Sequence, residues 1–317
     1  MQAFIHLSTA FCHGDLEVLE EKLYPPPANP HDIIRSTQWM DQDVIDMITP
    51  KLLGCHPNCY TYSKRLAESL VEEYASRLPA CVMRPSIVTP IIQDPVRGWV
   101  DTLNGPVGVL VGAGKGVIRS MLCDGDKKAE MVPVDIVANS VIVAATQIST
   151  SPRGVVSVFN VTSADKNPYS WSEVVEKGKQ VVHEYPFEAG LWYPNGSITM
   201  NPYSHALTVL MVQTIPAYLI DLLMIIIRQK RLVRVQRRIA DGTHLLKFFT
   251  TRKWNFINKK ALGLVDHLNE RDQKIFYMGN VDYDVEQYFK DMIIGSRIYC
   301  MKEPLETLEK ARRQLKM

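Results

Sequence analysis

The stretch "YTYSKRLAESLVEEYASRLPACVMRPSIV", residues 60–88, changes its hydrophobic period partway along. Over 60–77, Leu66, Leu70 and Val71 share one side with acidic and basic residues opposite, which is the stripe of an amphipathic helix. From 80 to 88 the run "ACVMRPSIV" is apolar and partly β-branched, and Pro85 and Pro90 close it, as expected of a buried strand. A helix feeding a buried strand is half of a βαβ unit, so this stretch predicts an α/β fold with a parallel sheet.

Working outward, "AFIHLS" (3–8) reads as an earlier strand, and the proline-rich "YPPPANP" (24–30) as a loop. A helical stretch follows over 38–49, up to the loop carrying Pro57. Downstream, the glycines and prolines of 91–118 predict a long irregular loop over a site. Residues 133–147 read as a helix, 158–163 as a strand, and 169–181 as a helix capped by Ser170. After a linker near 186–202 the pattern turns helical to the end, which predicts an α/β region over 1–200 and a helical one over 201–317.

The 317-residue chain, 46% hydrophobic, can fill a sizeable core. Its 36 basic and 34 acidic residues leave a formal charge of +2, with no overall field to gather nucleic acid. Six scattered cysteines predict reduced thiols. Cys55 and Cys59, with His56 between them, lack a second ligand pair at a familiar zinc spacing, so no metal is expected. The opening "MQAFIHLSTA" has no basic flank and too short an apolar run for a secretory signal, which predicts a cytosol-facing protein.

Residues four apart share a helix face, so Lys64 stands beside Tyr60 and not beside Tyr62. A phenol near pKa 10 is a poor proton donor at neutral pH, and an ammonium one turn away is expected to lower that value. Ser8 and Thr9, after the first strand, offer a hydroxyl for the same substrate oxygen as it gains negative charge.

Six blocks in order, "FIHLSTAFCHG" (4–14), "EEKLYPPP" (20–27), "YTYSKRLAE" (60–68), "VMRPSIVTP" (82–90), "GWVDTLNGPVGVLVGAGKGVIR" (98–119) and "MVPVDIVANSVI" (131–142), resemble the alcohol-forming fatty acyl-CoA reductases, especially those of insects. These are extended short-chain dehydrogenase/reductases. The resemblance implies a Rossmann-like sheet domain followed by a helical C-terminal domain. It also implies NADPH as cofactor, a long-chain fatty acyl-CoA as substrate, and reduction to a primary alcohol through an aldehyde. It makes Tyr60 and Lys64 the catalytic pair and both of them cofactor contacts, with Thr9, or Ser8 beside it, as the assisting hydroxyl. Arg84, Pro85, Ser86 and Ile87 match the segment that passes the nicotinamide. The alternatives are a sterol-type reductase of the same superfamily and a catalytically inactive, membrane-associated binding product.

The family's first strand and glycine-rich pyrophosphate turn are not found, and "GAGKG" (112–116) does not replace them because Val117 stands where the third glycine belongs. The first domain is therefore expected to be incomplete, an expectation that tight NADPH binding by the purified chain would remove. Residues 205–227 form a run without lysine or arginine, followed by Arg228, Lys230, Arg231, Arg234, Arg237 and Arg238. That order predicts association with an anionic membrane through 205–238, by surface insertion, a re-entrant hairpin or a full span, on the endoplasmic reticulum or peroxisome, the alternative being a core helix that runs into a solvated basic one. A homodimer is a further expectation from the resemblance.

Overall fold

The computed structural model describes residues 2–163, 169–225, 232–279 and 281–316. Arg228, Lys230 and Arg231 lie outside these. The fold is α/β with parallel strand pairs, and the chain divides into two compact units, each drawing on segments from both sides of residue 200.

The first unit takes in residues 1–88, 130–167 and 254–282. Its sheet runs β1 (Phe4–Leu7), β2 (Ala80–Pro85) and β6 (Ser157–Val161), all parallel, with β2 central. β2 is buried along its whole length, which is why it reads as a continuous apolar run instead of an alternating one. The helix Cys59–Tyr74 delivers Val71 onto Ala80, Val82 and Val158. On the first unit's other side chains, the helix Val134–Ser149 places Asp135 where it accepts a 2.6 Å hydrogen bond from the Tyr277 hydroxyl. Both groups are buried, so Tyr277→Phe is expected to cost about 1.5–3 kcal/mol in urea unfolding.

The expected helix over 38–49 is instead two helices, Pro30–Trp39 and Gln42–Leu53. The first begins inside the proline-rich run, because Pro30 occupies its first turn and the Asn29 side chain accepts from the His31 N–H at 2.9 Å. β3 (Ile87–Thr89) follows β2 and pairs with β5 (Met131–Pro133).

The second unit takes in 89–129, 168–253 and 283–317. Here β4 (Ser120–Leu122) pairs in parallel with β7 (Ser197–Thr199). The segment 91–118, expected as irregular, contains the helix Gly105–Gly114. Packing overrides the poor helix propensity of glycine there: a Cβ on Gly114 would meet the Phe187 ring at 2.8 Å. Ser170 caps the helix Trp171–Glu184 through a reciprocal pair with Glu173. The helix Val285–Gly295 ends with Gly295 against the backbone of Gly98, leaving no room for a Cβ. Gly295→Ala is thus expected to destabilise by about 1–3 kcal/mol, read as a lower urea midpoint.

Candidate active site

The site lies in the first unit, at the C-terminal end of β1. The Cys59–Tyr74 helix starts where the Asn58 side chain accepts from the Thr61 N–H at 3.0 Å, which puts Tyr60 in the first turn. Tyr60 is 54% exposed, whereas Tyr62 is turned into the interior beside the His56 ring. Lys64 follows one turn later, its Nζ 5.9 Å from the Tyr60 ring centre. The same Nζ donates to the Leu7 carbonyl at 2.7 Å, tying the helix to the last residue of β1. Ser8 and Thr9 come next in the chain.

Thr9 is buried, its hydroxyl accepts from the Phe11 N–H at 3.3 Å, and it lies near enough to Tyr60 to act on the phenol's proton. Partial burial raises the Tyr60 pKa, and the Thr9 hydroxyl opposes that shift without reversing it. The direction is opposite to the lowering expected from Lys64, because the ammonium is directed at a backbone carbonyl and not at the phenol oxygen. Tyr60 is therefore protonated at neutral pH. Ser8 is differently engaged: its hydroxyl donates to Glu68 Oε1 at 2.6 Å, inside the protein.

Arg84 also faces the interior. Its guanidinium is fully buried, with Nε 2.8 Å from Glu68 Oε1 and a terminal nitrogen 2.7 Å from Oε2. The remaining donors reach the Glu20 and Lys22 carbonyls at 3.2 and 3.0 Å, and the group lies 5.7 Å from the Tyr24 ring centre. The guanidinium expected to contact the cofactor is thus engaged inside the protein by its counter-charge. Of the other residues in that segment, Pro85 ends β2 and the Ile87 N–H donates to the Glu130 carbonyl at 2.9 Å. The buried Ser86 hydroxyl has no hydrogen-bond partner among the described residues.

Glu68 thus joins Ser8, Arg84 and His13, whose Nε2 stands 3.0 Å from Oε2. Burial alone would raise the Glu68 pKa, but the bonds from Arg84 and His13 outweigh it and hold the carboxyl well below the usual range. Burial first, and the Glu68 charge second, push the neighbouring Cys12 thiol up to about 12. Ligand atoms of Cys12, His13 and Glu68 lie within 4.8 Å of one another. The carboxylate is already neutralised by a guanidinium and the thiol holds its proton, so this chemistry suits a hydrogen-bond network better than a cation.

Sequence reasoning missed Glu68 and His13. The signal available for Glu68 was an acid on the stripe of Tyr60 and Lys64, together with one arginine inside an otherwise apolar strand. No signal marked His13. Near Thr9, the Phe11 ring meets Trp254 and Phe256 edge-on, with centroids 5.0 and 5.5 Å away.

The parallel sheet thus gathers a tyrosine, a lysine and a hydroxyl at one strand end. Residues 1–141 match an NAD-binding family described as male sterility protein, and residues 212–303 match the Sterile family, described in the same words. The chain belongs to the male sterility protein family. It is 34% identical to fatty acyl-CoA reductase 1 of Xenopus laevis over 99% of this chain and 61% of that protein. To fatty acyl-CoA reductase wat of Drosophila melanogaster it is 30% identical, over 96% of this chain and 59% of that one. The chain thus spans about three fifths of the length of the curated relatives it matches. Among solved structures, the terminal R domain of the myxalamid PKS-NRPS pathway aligns with a TM-score of 0.49 and 13% identity, over 95% of this chain and 59% of that one.

Proposed function

We propose that the protein works as an NADPH-dependent reductase of long-chain fatty acyl-CoA, forming a primary alcohol through an aldehyde. The observation that carries this reading is Tyr60 in the first turn of its helix with Lys64 one turn on, whose Nζ lies 5.9 Å from the Tyr60 ring centre and donates to the Leu7 carbonyl two residues before Thr9. The names of the relatives supply the acyl-CoA. The residues fit a nicotinamide cofactor at two points, the half-open Tyr60 phenol and the unpartnered Ser86 hydroxyl. The chemistry supplied by the bound cofactor is hydride, delivered to the thioester carbonyl and again to the aldehyde left when coenzyme A departs.

The chain's own residues do the rest. Tyr60, protonated at neutral pH, gives its proton to the substrate oxygen, and Thr9 donates a hydrogen bond to the same oxygen as it becomes negative. Lys64 pins the Tyr60 turn against the end of β1, keeping both hydroxyls in place. A long acyl chain partitions into lipid, so the same reading puts the protein on the cytosolic face of the endoplasmic reticulum or peroxisome, in contact through 205–238, as a homodimer.

The test is turnover of a long-chain acyl-CoA against a sterol ketone, following NADPH absorbance and free coenzyme A thiol. The expected result is two NADPH consumed per coenzyme A released, with primary alcohol as product. Reduction of the sterol alone, or thiol release without NADPH consumption, overturns the reading.

A further inference from the structure

Between the helices Leu232–Thr250 and Lys259–Gly263 the chain runs without helix over 251–258. These residues fall in the region expected as a helical domain of its own, yet from Trp254 onward they belong to the first unit. Phe256 pairs with Leu19 as a one-residue parallel bridge: the Leu19 N–H donates to the Asn255 carbonyl, and the Ile257 N–H to the Leu19 carbonyl, both at 2.9 Å. The buried side-chain amide of Asn160, in β6, donates to the Leu19 and Ile257 carbonyls at 3.1 and 2.8 Å and so holds both segments. Alternate side chains of an extended segment share a side, so Trp254 and Phe256 stand together while the exposed Asn255 faces away. Their ring centres lie 5.8 Å apart with the planes 25° from parallel.

Both rings close edge-on against Phe11, which is buried and stands two residues past Thr9. The turn that joins them is thinly bonded. The Phe11 N–H reaches the Thr9 hydroxyl oxygen at 3.3 Å and the Cys12 N–H reaches the Thr9 carbonyl at 3.4 Å, both beyond the ordinary limit of about 3.2 Å. The Ala10 N–H, 2.9 Å from the Pro85 carbonyl, ties one side of the turn to the end of β2. Two long bonds do not fix the other side; the packing of the Phe11 ring does. That matters for the hydroxyl, which has one proton and two lone pairs. The Phe11 N–H occupies a lone pair of Thr9, which leaves the Thr9 proton to be donated on the Tyr60 side.

We propose that Trp254 and Phe256 are positioning residues for the reduction: they hold the Phe11 ring, and through the Phe11 N–H they fix the Thr9 hydroxyl with its proton toward the substrate oxygen. The proposal rests on the reductase reading of Tyr60 and Thr9, and adds to that site a segment from the far end of the chain. Neither ring has to touch the substrate. A group displaced by about 1 Å from a developing charge loses roughly a hundredfold in rate, so the effect of removing a ring falls on kcat and not on KM.

Turnover of the purified full chain with a long-chain acyl-CoA and NADPH tests it. Trp254→Ala is expected to lower kcat by about tenfold to a hundredfold and to change the KM for acyl-CoA less than about twofold, with circular dichroism confirming that the variant is folded. Trp254→Phe keeps an edge-on ring against Phe11 and is expected to recover most of the loss. In a Thr9→Val background, Trp254→Ala is expected to add less than about a twofold further loss, because residues that act through one another do not multiply. Losses that multiply, or a loss confined to KM, overturn the proposal. Hydrogen exchange of the peptide spanning 8–14, read by mass spectrometry, needs no turnover, and Trp254→Ala is expected to speed it about tenfold. A chain that reduces no acyl-CoA sinks the reductase reading instead; faster exchange then still upholds the hold on Thr9, and unchanged exchange overturns it.

Discussion

Glu68→Ala is expected to lower the unfolding free energy by about 3–5 kcal/mol, because it leaves the Arg84 guanidinium charged, desolvated and without its counter-ion. Arg84 is 0% exposed and Glu68 2%, so water cannot replace the lost carboxylate without opening the sheet. The same change frees the Ser8 hydroxyl and His13, adding to the loss. The measurement is urea unfolding at neutral pH. A midpoint equal to that of wild type would mean the ion pair contributes no net stability.

The pair also sets a pH dependence. In the folded protein the Glu68 carboxyl titrates below its ordinary range, so its contribution is complete above the unfolded value, about 4.3, and is lost as pH falls from there toward the folded value. Wild type should therefore lose stability between about pH 5 and pH 3 more steeply than Glu68→Gln, which starts lower and has no proton to take up at this position.

The second large effect falls on turnover. Tyr60→Phe is expected to reduce acyl-CoA reduction by about a hundredfold to ten-thousandfold while leaving the urea midpoint unchanged. The proposed proton source is removed, yet the ring stays and the hydroxyl lies at a half-open surface, where its loss strands only the Thr9 side chain. Tyr62→Phe is the matched control. That hydroxyl is buried without a partner among the described residues, so its removal is expected to leave turnover intact and to be neutral or slightly stabilising. Equal activity of Tyr60→Phe and wild type would remove Tyr60 from the mechanism.

Much of this was legible in the residues themselves. The Cys59–Tyr74 helix, β2 and the helix capped by Ser170 announce themselves through period and capping, which are properties of neighbouring side chains. The proline-rich run concealed the start of the Pro30–Trp39 helix, and the glycine-rich stretch concealed Gly105–Gly114. In the first case proline serves as a helix opener. In the second, close packing against Phe187 requires the glycine that propensity penalises.

By itself the sequence determined an α/β chain with parallel strands and a lysine one turn from a tyrosine, because a spacing of four residues becomes one helix face wherever the helix sits. Only the tertiary structure decided what those groups meet. Glu68 finds Arg84 sixteen residues away, His13 fifty-five and Ser8 sixty, through the parallel register of β1 on β2. That register turns Ser8 inward to Glu68, leaves Thr9 to Tyr60, and directs Lys64 to a backbone carbonyl. Period is written along the chain, whereas counter-charges and hydrogen-bond partners are chosen by burial between segments distant in it.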